Sequence, residues 1–246
     1  MNIVVCVSQV PDTTTKIVVG ADGKSIDPKG VKNILNPYDE LAVEEALRRK
    51  EGGTVTLVCV GGESAKEQLR LGLAMGADKA VLIKDEERVD SFSVAGQLAE
   101  AIRGLSPDLV LLGRQSIDYD SAQMGPTLAE LLEMPCVSFV TSLEINGTAV
   151  RAERDIEGGK EVVETTLPCI ITTQKGLNEP RYPKLPDIMK AKSKPVEELA
   201  GGMGDVRVST LEMRPPEKKG AGKIFEASPE NVKELVRLLH EEAKVI

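Results

Sequence analysis

The feature of this 246-residue chain that most narrows its fold is a set of short, nearly unbroken apolar runs, each followed by a stretch with helical spacing. Val4-Val5-Cys6-Val7 and Leu109-Val110-Leu111-Leu112 are typical. A strand with one wet face alternates apolar and polar residues; a strand apolar on both faces belongs in a parallel sheet covered by helices on either side. Strands are predicted over residues 2–7, 54–60, 79–83 and 108–112. Helices follow at 37–50, 63–75, 90–105 and 121–133, the first turning Leu41, Ala42, Ala46 and Leu47 toward the core. Right-handed crossovers make this a doubly wound, Rossmann-like α/β fold.

Other segments read differently. After a turn at Val10-Pro11-Asp12-Thr13-Thr14, two short strands are expected at 16–19 and 24–27, joined through the hairpin signal Asp22-Gly23. Beyond residue 139 a hairpin is predicted from 140–145 and 148–154 around Asn146-Gly147, then strands at 161–166 and 168–173. Residues 176–226 are rich in Pro, Gly and Lys with little periodicity, which reads as a partner-wrapping arm or as a disordered linker. An amphipathic helix closes the chain over 229–244, with Ser228 as N-cap and Pro229 at its first position. The organisation expected is a nucleotide-binding α/β domain with a hairpin extension over 1–175, and a docking loop, extended arm and terminal helix over 176–246.

Composition removes several function classes. A net charge of −8 opposes binding to a nucleic-acid backbone, and the basic stretch from Lys184 to Lys194 reads on charge alone as a solvated loop. The apolar runs are too short to span a bilayer, so no direct membrane insertion is expected. With no visible secretory signal, a cytoplasmic protein is expected. Cys6, Cys59, Cys136 and Cys169 form no Cys-x-x-Cys pair and lie in or beside apolar runs, as buried free thiols do. The single histidine, His240, leaves little material for metal sites or Ser-His catalysis. Neither a metal site nor a catalytic side chain is predicted.

In such a sheet, ligands lie beyond the carboxyl ends of the strands. The candidate loops are 6–10, 60–64 and 113–125. Gly61-Gly62-Glu63-Ser64 is a strand-to-helix turn whose N–H groups suit an anion, although close strand–helix packing explains paired glycines more often. The third loop, Gly113 to Gly125, gathers hydroxyl, amide and carboxylate groups. Asp120 or Ser121 is expected to cap the following helix, and capping is favoured over metal binding for Asp118 and Asp120. Pro126 complicates this, since a proline belongs in a helix's first turn or kinks the helix. No Gly-x-Gly-x-x-Gly opens the first helix, and no P-loop occurs.

Leu177-Asn178-Glu179-Pro180-Arg181-Tyr182, continuing through Leu185-Pro186-Asp187-Ile188-Met189-Lys190, resembles the β subunit of electron-transfer flavoproteins. Arg154-Asp155-Ile156-Glu157-Gly158-Gly159-Lys160-Glu161, running to Leu167-Pro168, resembles that family's other signature; Asn36-Pro37-Tyr38-Asp39 and Leu73-Ala74-Met75-Gly76-Ala77-Asp78 also fit. The resemblance covers essentially the whole chain. It implies an adenine nucleotide α-hydrolase-like sheet and a heterodimer with an α subunit that makes most contacts to a redox-active FAD. It also implies a C-terminal arm embracing that subunit. The nucleotide in this chain, AMP or a second FAD, would touch Cys6, Asn36, Pro37, Tyr38, Asp39, Val60, Asp118, Tyr119, Asp120, Ser121, Ala122, Gln123, Met124, Gly125, Pro126, Thr127, Leu128 and Ala129.

Leu185, with Pro186, Ile188 and Met189, matches the segment that docks flavin dehydrogenases such as acyl-CoA dehydrogenases, with a quinone reductase or another protein as acceptor. An exposed leucine between prolines suits a hot spot that fills a partner's pocket. The loop spelling from Asp118 to Pro126 is nearer to electron-bifurcating relatives, which hold FAD there and oxidise NADH, but those usually carry Gly where Tyr119 stands. The competing reading is a stand-alone ATP-binding module of the universal-stress type on the same fold, which leaves the arm after Gly176 unexplained.

Overall fold

The computed structural model describes residues 1–86, 90–202, 205–217, 220 and 222–246. They divide into two compact units, Met1–Glu212 and Met213–Ile246. In the first unit the strands are β1 (Ile3–Cys6), β2 (Gln9–Pro11), β3 (Asn33–Leu35), β4 (Val55–Gly61), β5 (Lys79–Lys84), β6 (Leu109–Gly113), β7 (Cys136–Asn146), β8 (Ala149–Ile156), β9 (Gly159–Thr166), β10 (Cys169–Thr173) and β11 (Glu197–Ala200). Its helices are α1 (Pro37–Arg49), α2 (Lys66–Met75), α3 (Ser91–Leu105), α4 (Met124–Leu132) and α5 (Leu185–Ser193). A nine-stranded sheet runs β11-β5-β4-β1-β6-β10-β7-β8-β9. It is parallel from β11 through the pairing of β10 with β7, and antiparallel over β7-β8-β9.

Alternation along β1 shows why the runs had to be apolar throughout. Ile3 and Val5 join one core cluster with Leu57, Leu109 and Leu111, under residues of α1 and α2. Val4 and Cys6 join another with Val58, Val110 and Ile170, under α3 and α4. Both faces are dry, so the fold is a Rossmann-like α/β sheet. The Asn146-Gly147 turn lies between β7 and β8 as predicted, with Gly147 at a φ of 60°.

Four local expectations are corrected. The hairpin at 16–19 and 24–27 reduces to a single bridge between Val19 and Ile26; Val10 and Pro11, read as part of a turn, instead form with Gln9 a strand antiparallel to Asn33–Leu35. The stretch after Gly176 is irregular only in part: α5 packs beside α2, and β11 adds a parallel edge strand to β5. The fourth helix begins at Met124, later than predicted, and its N-cap is Gln123 without a side-chain bond. Asp120 and Ala122 take left-handed backbone conformations, each with φ 52°, which carries Asp120 and Ser121 away from the capping position. Of the four thiols, Cys136 is only half-buried.

The second unit holds α6 (Pro229–Arg237), followed by a π turn over Leu238–Glu242. Ser228 caps α6, its side chain accepting from the Asn231 amide at 3.1 Å, as its sequence position foretold. Among the described residues no helix is long and apolar enough to cross a membrane.

Candidate functional site

From β1 the chain moves outward through β4 to β5, then returns to place β6 on the other side of β1. The crevice where strand order reverses therefore opens beyond Cys6 and Gly113. Helix α1 enters it end-on. Gly113 has no room for a side chain: a Cβ there would lie 2.4 Å from Asp39 Oδ1 and 2.6 Å from Tyr38 Cβ. That absence of bulk lets the first turn of α1 rest on the end of β6.

Asp39 closes the joint. Its Oδ2 accepts from the Ser8 amide at 2.8 Å and the Ser8 hydroxyl at 2.7 Å, and its Oδ1 accepts from the Gly113 amide at 2.9 Å. One carboxylate thus ties the β1 loop to the end of β6. Burial pushes its pKa up to about 6, partly offset by the hydrogen bonds from Ser8, Asn36 and Gly113. Asn36 is also buried: its amide donates to Ser8 O at 3.0 Å, and its Nδ2 donates to Gln115 O at 2.9 Å. The Asn36 Oδ1 has no hydrogen-bond partner among the described residues. A buried acceptor left open beside a crevice suits a donor brought by a ligand.

The loop after β6 supplies the outer wall. Arg114 lies over the rings of Tyr38, at 5.2 Å, and Phe139, at 5.4 Å. Gln115 bonds the Asp120 carboxylate through its Nε2, and the Asp120 amide bonds back to Ser116 O at 2.9 Å. Asp118, Tyr119, Asp120, Ser121 and Gln123 are exposed; Ala122, Met124 and Thr127 are half-buried, and Gly125, Leu128 and Ala129 are buried. A Cβ on Gly125 would meet Thr172 Cγ2 at 2.3 Å, so glycine lets α4 lie close on β10. Without a side-chain cap, the start of α4 offers main-chain amides to an anion.

The Gly61-Gly62 turn resolves differently from the anion-binding reading. The Glu63 amide donates to Glu86 Oε1 at 3.3 Å, and a Cβ on Gly62 would lie 2.2 Å from Glu86 Oε2. A carboxylate of the chain itself occupies the place where a phosphate would sit, and close packing explains the glycine.

Cys6 and Val60 lie buried at the ends of β1 and β4, while Pro37 is exposed at the start of α1. Burial raises the Cys6 thiol well above its ordinary pKa and the Cys169 thiol to about 12, so both are unreactive. The motif reading missed Ser8, Gln115 and Thr173, whose hydroxyl donates to Tyr38 O at 3.0 Å. Position alone singles out Ser8, the first polar residue after β1; Gln115 follows Arg114 beyond β6, and Thr173 is the last residue of β10. Away from the crevice, Leu185, Pro186, Ile188 and Met189 fall in helix α5 rather than in a loop, with Leu185 72% exposed. Among the described residues no group of three or more His, Cys, Asp or Glu is placed to hold a metal.

A family model described as the electron transfer flavoprotein domain matches residues 24–201. This chain belongs to the electron transfer flavoprotein family. It is 49% identical to the electron transfer flavoprotein subunit beta of Bacillus subtilis, over the whole of both chains. Against the subunit of that name from Syntrophomonas wolfei it is 40% identical, over 94% of this chain and 92% of the relative. The human subunit beta is 36% identical over 96% of each chain. Within the family this chain falls among the β subunits, and the crevice and helix α5 lie within or across the matched span.

Proposed function

We propose that the crevice beyond β1 and β6 grips the adenosine phosphate end of AMP or of a second FAD, and that the chain works as an electron-carrier subunit beside an α subunit holding the redox-active FAD. The observation that carries this is the open acceptor of buried Asn36 at a switch point whose neighbouring helix, α4, has no side-chain cap. The acceptor suits an adenine or ribose donor, and the helix start suits a phosphate. The residues from Asp118 to Ala129 then wrap the nucleotide, with Tyr38, Val60 and Cys6 lining its inner end.

When bound, flavin supplies the electron chemistry; protein groups set its place and potential. The apolar patch of Leu185, Pro186, Ile188 and Met189 suits docking of flavin dehydrogenases such as acyl-CoA dehydrogenases, with delivery onward to a quinone reductase. Oxidation of NADH by bifurcation is the variant that a second FAD here would allow. Residues 1–175 form the nucleotide-binding part of this scheme, and 176–246 serve docking and contact with the α subunit. Four free thiols fit a reducing compartment, the cytoplasm.

The test is to co-express the chain with its α subunit, purify the complex, release the nucleotides and count them. One FAD and one AMP per heterodimer supports the AMP form; two FAD supports the bifurcating form. A stable, colourless homodimer that binds ATP would overturn both in favour of a signalling module. Asn36→Ala should release this chain's nucleotide while the FAD on the α subunit stays.

A further inference from the structure

The segment before the docking helix is bolted to the middle of α1 by two buried carboxylates. Asn178, itself buried, donates from Nδ2 to Leu41 O and to Glu45 Oε2, both at 3.0 Å. Arg181 forks onto Glu44, Nε to Oε2 at 2.7 Å and Nη2 to Oε1 at 3.0 Å, and its amide reaches Oε2 at 3.2 Å. Each carboxylate is also held by an arginine one turn on: Arg48 on Glu44 at 2.7 Å and Arg49 on Glu45 at 2.8 Å. Arg48 further donates to Glu179 O at 3.3 Å. Burial raises the Glu44 pKa, but the hydrogen bonds from Arg181 and Arg48 outweigh it and hold the carboxyl below its ordinary range, so it stays charged.

The far end of α5 is fixed too. Ala191 is buried, and Lys194 Nζ donates to Leu73 O at 3.3 Å and Ala77 O at 2.8 Å, at the end of α2. Between these two anchors Leu185, Ile188 and Met189 point outward, and Tyr182 is 95% exposed. The helix is pinned, yet its apolar residues stand in solvent. A patch of that kind binds well only when its backbone is ordered beforehand, because ordering the preceding segment on contact opposes association.

We propose that Asn178 and Arg181, seated on Glu45 and Glu44, are positioning residues for redox-partner docking: they hold residues 178–184 in one course and so present Leu185, Ile188 and Met189 as a preformed apolar patch to a pocket on a flavin dehydrogenase. This rests on the docking role given above to Leu185. Both residues bond to the middle of α1, apart from the residues assigned above to the nucleotide. Their removal also strands no buried charge, since Arg48 and Arg49 still hold the two carboxylates.

The experiment uses the αβ heterodimer and a dehydrogenase that reduces it, comparing the natural protein with Arg181→Ala, Arg181→Lys, Asn178→Ala/Arg181→Ala and Leu185→Ala. For Arg181→Ala the expected result is a KM for the heterodimer raised about tenfold, with kcat and flavin content kept and the unfolding midpoint only modestly lowered, since Arg48 still holds Glu44. Amide exchange across 182–188 should quicken. The double variant should show a larger rise, and lysine should recover only part of it, because an ammonium does not fork. An unchanged KM in the double variant, beside a raised KM in Leu185→Ala, overturns the clamp and leaves the docking role standing. An unchanged KM in Leu185→Ala overturns the docking role and the clamp with it. Loss of kcat and flavin together in the clamp variants overturns positioning in favour of a general structural role.

Discussion

Helices α1 and α5 depart from ordinary amphipathic design in opposite directions. Helix α1 buries Asp39, Glu44 and Glu45, three carboxylates that would be cheaper to leave in water. Helix α5 exposes Leu185, Ile188 and Met189, and buries only Ala191. Each opens with a proline in its first turn and lacks a side-chain cap, so local chemistry does not distinguish them. What differs is where the cost falls. In α1, buried charge is matched by defined donors and fixes geometry; in α5, apolar surface is left unmatched and, on the docking proposal, is there to meet a partner.

The largest effect that would break this contrast lies in α1. Asp39→Ala leaves the amides of Ser8 and Gly113 buried without their acceptor. A loss of roughly 3 kcal/mol in unfolding free energy is expected, read by urea denaturation, since an unsatisfied buried donor costs about 1–3 kcal/mol. A loss under ~0.5 kcal/mol would show that the joint is held otherwise.

The same carboxylate gives a pH signature. Asp39 ionises near pH 4 in the unfolded chain and at about 6 in the fold. Between those values the unfolded chain has released its proton and the native protein has not, so rising pH favours unfolding; above pH 6 the loss is complete. At ~1.4 kcal/mol per pKa unit the displacement amounts to at most about 3 kcal/mol. Asp39→Asn stays neutral, so its stability should gain on the natural protein by up to that amount between pH 4 and 6.5. If Asp39→Asn fails to gain on the natural protein as pH rises from 4 to 6.5, the assigned environment is wrong.

Helix α5 supplies the reverse case. Leu185→Ala should leave folding and bound flavin unchanged while weakening dehydrogenase coupling about 30-fold, the effect of losing an interface anchor worth ~2 kcal/mol. Unaltered coupling would make the exposed leucine mere surface and dissolve the contrast.

The contrast also marks how far the sequence alone carries. The parallel strands were legible because burial on both faces demands residues such as those of β1 and β6, and the Asn146-Gly147 and Ser228 signals act within a few residues. Asp39's brace was not, because its donors Ser8 and Gly113 stand 31 and 74 positions away. Strand β11 reads Glu-Glu-Leu-Ala, a helix-prone spelling. The open edge of β5 makes it a strand, and ion pairs from Lys66 and Lys84 to Glu198 hold it there. The nine-residue α5 escaped notice because its support is tertiary, through Ala191 and the Lys194 bonds to α2, rather than periodic. Within the crevice, the loop after β6 was legible as polar residues behind a buried strand, but the left-handed turns at Asp120 and Ala122 that delay α4 leave no mark in residues of ordinary type.

The smallest effect sharpens the contrast most cleanly. Met189 is 58% exposed in the last half of α5, where Lys190 and Lys192 already stand near the helix's negative end. Lysine and methionine have nearly equal helix propensity, and a further cation near a C-terminus is mildly favourable. Met189→Lys should therefore shift unfolding free energy by less than about 0.5 kcal/mol while weakening dehydrogenase coupling. Were urea denaturation to show a loss beyond ~1 kcal/mol, Met189 would be packed in solution, and the outer face of α5 would belong to the fold rather than to a partner.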